Sequence, residues 1–96
     1  MKEMTTDLFF KKSIEYFEKI INSEDIKIEL KELLGEEYLL NYTNKSVDLT
    51  IFNENSYLND KYKIVLNILN NENIIGDYIL YLNKQGNFID EFLVWR

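Results

Sequence analysis

The fold is decided by the stretch Ile75-Gly76-Asp77-Tyr78-Ile79-Leu80-Tyr81-Leu82-Asn83-Lys84-Gln85-Gly86-Asn87-Phe88-Ile89-Asp90-Glu91-Phe92-Leu93-Val94-Trp95. Two runs rich in aromatic and branched residues flank Asn-Lys-Gln-Gly, which is the signature of a β-hairpin. Gly86 suits the left-handed position of a type I turn with a G1 bulge, and that turn pairs Asn83 with Asn87. The spacing therefore predicts strands at about 75–82 and 88–95. Gly76 is placed for a bulge in the first of them.

Working back along the chain, Tyr62, Ile64, Leu66 and Ile68 alternate on one face of a strand over 61–69, and Asn70-Asn71-Glu72-Asn73 forms the turn after it. Val47, Leu49 and Ile51 alternate with Asp48 and Thr50 in a strand over 46–53, half-buried through those three residues. Residues 54–60 form a loop by composition, and 36–42 are either a short helix or a connector. Before residue 36 the period is helical. Phe10, Ile14, Phe17 and Ile21 fall on one stripe of a helix over 6–22, with Thr6 as its cap and Asp7 at its dipole. Ser23 caps a second helix over 24–35, striped by Ile26, Leu30, Leu33 and Leu34 and ended by Gly35. The expectation is a single α+β domain over 1–96, with two N-terminal helices packed on a four-stranded antiparallel meander.

In the register just given, Tyr78, Leu80, Leu82, Phe88, Asp90 and Phe92 share one sheet face. The other carries Asp77, Ile79, Tyr81, Ile89, Glu91 and Leu93, followed by Trp95. Both are apolar, whereas helices cover only one side of such a sheet. Cover for the second comes from the 36–42 segment, a homodimer partner, a different protein, or strong sheet curvature.

The 96 residues include no His and no Cys, which removes the usual neutral-pH base, the commonest metal ligand and the most reactive nucleophile. Three separated glycines leave no phosphate-cradling loop, and the acids follow no calcium-loop spacing. Asp77 and Glu91, on one face in this register, form the one carboxylate pair, and paired surface acids are usually only solvated. No enzyme activity, cofactor or metal is expected. The net charge of −6 divides as −4 over 1–48 and −2 over 49–96. Such a surface disfavours nucleic acids and anionic membranes and favours basic proteins, or serves solubility alone. The N-terminus lacks the apolar core of a signal peptide and no run is long enough to span a bilayer, so a cytoplasmic protein is expected.

The hairpin Gly76–Phe92 resembles the terminal hairpin of NTF2-like and cystatin-like α+β domains, which set an N-terminal helix against a curved sheet. NTF2-like enzymes usually hold a His or Asp inside the cone, and this chain has no His. As a small, acidic, aromatic-rich domain without catalytic residues, the chain also resembles in type the immunity proteins of bacterial polymorphic toxins and contact-dependent inhibition systems. That resemblance implies a cognate toxin domain, basic and nuclease-like, as protein partner. Glu54, Asp60, Asp77 and Glu91 would meet its Lys and Arg, and Tyr57, Tyr81 and Trp95 would anchor the contact. The alternatives are a phage-type inhibitor such as an anti-CRISPR protein, whose acids imitate phosphates, and a small NTF2-like domain with an apolar ligand between helix and sheet.

Overall fold

The computed structural model describes residues 5–51 and 55–96. Two helices, α1 (Thr6–Ile21) and α2 (Glu24–Leu34), precede four strands: β1 (Leu40–Thr50), β2 (Lys61–Asn70), β3 (Asn73–Leu82) and β4 (Phe88–Trp95). The strands form one antiparallel sheet in the order β1-β2-β3-β4, the expected α+β meander.

Thr5, rather than Thr6, caps α1: its hydroxyl accepts from Leu8 N at 3.2 Å and its carbonyl from Phe9 N at 3.0 Å. The buried stripe of α1 is correspondingly Phe9, Ser13 and Phe17, with Phe10, Ile14 and Ile21 flanking it on one side and Tyr16 and Ile20 on the other. Ser13 explains the phase. A small side chain at the centre of the stripe lets the helix axis approach the sheet, so the rings on either side are driven inward. Phe9 packs at a tilt against Tyr62 of β2 at 4.5 Å, Tyr16 against Phe88 of β4 at 5.1 Å, and Phe17 edge-on against Tyr42 of β1 and tilted against Tyr78 of β3. The helix thus reaches all four strands. Opposite it, Ile64, Leu66, Ile68, Tyr78, Leu80 and Leu82 are completely buried, each worth about 1.5–3 kcal/mol of apolar transfer.

Ser23 starts α2 by its extended backbone alone, its hydroxyl donating instead to the Ile20 carbonyl at 2.7 Å. Leu30 is the buried residue of α2, whereas Leu33 of the expected stripe is exposed. The chain then runs irregularly to Leu39, and β1 begins at Leu40, six residues earlier than its alternation suggested. Leu40 and Tyr42 face the core, a bulge between Asn44 and Ser46 resets the parity, and Val47 faces it again. Leu49 and Ile51 are exposed, so the inward row expected through 47, 49 and 51 stops at Val47. Phe52 and Asn53, the end of the expected strand, lie outside the described residues.

The β2–β3 turn is a two-residue hairpin with positive φ at both Asn71 and Glu72, the type whose twist matches its strands. The β3–β4 turn is as expected: Asn83 N donates to Asn87 O, Gly86 N donates to Asn83 O, and Gly86 has φ 86.

One register expectation fails. Leu82 faces Phe88, but Tyr81 then faces Asp90, leaving Ile89 as an extra residue. This bulge moves Glu91, Leu93 and Trp95 to the helix side and Asp90 and Phe92 to the other. Asp77, opposite Val94, therefore lies on the face away from Glu91, and the carboxylate pair contemplated from the sequence does not form. A second bulge puts Ile75 out of register beside Gly76.

Candidate functional site

The far side of the sheet has no helix on it, and the registers lay its residues out in rows. Ser46, Val65, Ile79 and Phe92 run across the middle. On one side of them lie Asp48, Lys63, Tyr81 and Asp90, and on the other Thr43, Asn67, Asp77 and Val94. The segment after α2 does not cover this face, because Leu40 and Tyr42 pack on the core side. Val65 and Tyr81 are buried among their neighbours, while Phe92 is 39% and Val94 46% exposed. Tyr81 packs edge-on against Phe92 at 5.9 Å, and burial pushes its hydroxyl pKa up.

The residues expected to meet a partner fall into three groups. Tyr57, Asp77 and Tyr81 share this open side, with Asp77 and Tyr81 on opposite sides of the middle row. Tyr57 is exposed and its hydroxyl donates to Asp90 Oδ2 at 2.7 Å; that bond raises the Tyr57 pKa and, with the Glu91 backbone N–H, holds the Asp90 carboxyl below its ordinary value. Asp77 accepts two hydrogen bonds from Arg96 Nη2, at 3.0 and 3.1 Å, with Lys45 Nζ 4.0 Å away. Asp60 stands at the end of the β1–β2 connection, paired with Lys84 at 2.9 Å, and both are exposed, so the pair contributes little to stability. Glu91 and Trp95 lie on the helix side, where Glu91 accepts from Tyr78 Oη and the Trp95 indole donates to Glu29, each at 2.7 Å. Glu54 lies outside the described residues.

The acids picked from the sheet and its connections are therefore largely engaged within the chain. The surplus lies elsewhere. Residues 24–37 hold six acids against two lysines, and among the described residues none of Glu24, Asp25, Glu32, Glu36 and Glu37 reaches a Lys or Arg within ion-pair distance. All five are exposed, as are Ile28 (57%), Leu33 (56%) and Leu39 (69%) beside them. The sequence signal was present: a local count of charge over 24–37 marks this segment without any structure.

The space between α1 and the sheet is filled by Phe9, Phe17, Tyr78 and the aliphatic row of β2 and β3. A groove of about 330 Å³ between α1 and the β1 bulge is open to solvent and lined by Asp7, Phe10, Lys11, Ile14, Glu15 and Asn44. Among the described residues no three acids converge as a metal site, and no helix is long and apolar enough to cross a membrane. The chain matches no family model, no curated protein and no solved structure.

The Tyr78–Glu91 contact makes a pH prediction. Burial, reinforced by the bond to Glu91, raises the Tyr78 hydroxyl far above its ordinary value. Above about pH 10 the unfolded chain releases this proton and the folded chain keeps it, so the folded state binds more protons and stability falls as pH rises. The slope is about 1.4 kcal/mol per pH unit for one such group. Urea titrations between pH 9 and 11 should show this loss, reduced in Tyr78→Phe. An equal slope in that variant would assign the loss to other tyrosines.

Proposed function

We propose that the protein is a non-catalytic binding protein of the immunity type, which neutralises a basic, nuclease-like toxin domain by occupying the surface where that domain meets its substrate. The observation that carries this reading is the unneutralised acid of residues 24–37, interleaved with exposed Ile28 and Leu33. Exposed charge of one sign steers a basic partner and raises its association rate, and apolar side chains among the charges hold the complex once water leaves. The filled helix–sheet interface favours a macromolecular partner over a lipophilic ligand.

A second reading has one observation in its favour. Asp25, Glu29 and Glu32 recur at i, i+4 and i+7 of α2, a regular row of negative charge. An inhibitor of the anti-CRISPR kind would use such a row in place of phosphates, and its target would release nucleic acid on binding.

The test is capture of the partner from the encoding organism with the tagged chain, followed by kinetics with the purified partner. The expected partner is one basic polypeptide whose toxicity is suppressed on co-expression. Glu32→Lys/Glu36→Lys/Glu37→Lys should slow its association about 10- to 100-fold with the thermal midpoint unchanged. An acidic partner, or an association rate indifferent to both the triple substitution and salt, would overturn the proposal. Competition with a nucleic acid that the target normally binds would select the second reading.

A further inference from the structure

The open sheet face differs from α2 in its charge. Asp48 lies opposite Lys63, Asp77 is held by Arg96 and Lys45, and Asp90 accepts from Tyr57. Three acids meet four bases, because Lys61, opposite Thr50, lies on this face as well. The face therefore carries none of the chain's net charge of −6. A basic protein gains nothing here that α2 does not offer better. Two copies of a −6 chain, by contrast, repel except through a balanced surface, and this one has an apolar centre and a charged rim.

We propose that a second copy of this chain occupies the open face, related to the first by a twofold axis along the row Ser46–Val65–Ile79–Phe92. A twofold interface must be self-complementary, and the pattern of side chains distinguishes the ways of achieving it. An axis along the strands lays β1 over β4 and sets Asp48 against Asp90 of the second copy, acid on acid. An axis along the row lays each strand over itself and exchanges the two flanking rows. The row of Asp48, Lys63, Tyr81 and Asp90, in which Tyr81 is buried and Asp90 is held by Tyr57, then lies against the row of Thr43, Asn67, Asp77 and Val94 of the second copy, with Arg96 at Asp77. No acid meets an acid. Phe92, on the edge strand β4, meets its own copy beside the exposed Val94. Sheets packed face to face lie about 10 Å apart, which gives four layers with the helices outside. Both acidic α2 surfaces stay free, so the dimer does not depend on the toxin-binding reading.

Sedimentation equilibrium of the full chain over micromolar to millimolar concentration should show a dimer. Phe92→Lys enters the interface twice and should weaken it by about a thousandfold, whereas Leu33→Lys on α2 should leave it intact. The chain has no cysteine, so single cysteines report the geometry even if Phe92→Lys fails to fold. Ser46→Cys on the axis should be joined to its copy by a short bismaleimide, and Lys61→Cys, two rows away, should not. A monomer at every concentration overturns the proposal. So does a dimer that survives Phe92→Lys without the Ser46→Cys cross-link. Protection of the Ile79 and Phe92 amides by a basic partner, in place of self-association, would assign the face to that partner instead.

Discussion

Phe17→Ala is expected to lower the thermal midpoint by about 20 °C. The ring is 3% exposed and lies against both Tyr42 and Tyr78, 5.9 and 5.5 Å away. Truncation removes its transfer free energy and opens a cavity between helix and sheet, where the neighbouring rings cannot collapse together. Such changes cost about 3–5 kcal/mol, against a total of about 5–14 kcal/mol for a domain of this length. Leu33→Ala is the control: this leucine projects from α2 into solvent and should shift stability by less than about 0.5 kcal/mol. Thermal melts followed by circular dichroism separate the two. A small effect at Phe17 would mean that α1 is not the lid of the core.

Gly76→Ala should destabilise the chain by about 3 kcal/mol, although it adds only a methyl group. A Cβ built there lies 2.5 Å from the Val94 carbonyl oxygen, 2.9 Å from Trp95 Cε3 and 3.3 Å from Trp95 Cα. Two of those atoms are backbone and cannot swing aside. The end of β4 must move away, loosening the Gly76–Trp95 pairing and the contact between the Trp95 indole and Glu29. Denaturant unfolding gives the magnitude, and faster hydrogen exchange at the end of β4 locates it. A variant as stable as the parent would show that β4 has slack at this point.

These two sites show which parts of the structure were readable in advance. The switch of hydrophobic period from about 3.6 to 2 announced helices followed by strands, and Gly86 announced the last turn, because these signals are local. The phase of α1 was off by one position. Phe10, Ile14 and Ile21 do pack against the core, but an apolar count gives no weight to Ser13, whose smallness sets the centre of the contact. Alternation also cannot announce an inserted residue. Ile89 continues the apolar run as well as any neighbour, yet as a bulge it turns over Glu91, Leu93 and Trp95. For the same reason the candidate site was only half legible. That Asp77 meets Arg96 and Asp60 meets Lys84 depends on how strands align, whereas the acid of residues 24–37 is contiguous.

Lys12 Nζ donates to the Gly86 carbonyl at 2.7 Å across 74 residues, and the stripe of α1 rests on strands that all follow it in the chain. Both helices leave the ribosome before any of the surface that covers them has been made. Phe17 gains its first ring partner only with Tyr42 of β1, and Phe9 only with Tyr62 of β2, and isolated helices of this length are marginal in water. The nascent chain must therefore carry an uncovered aromatic stripe through much of its synthesis. Its net charge of −6 opposes association of such chains with one another.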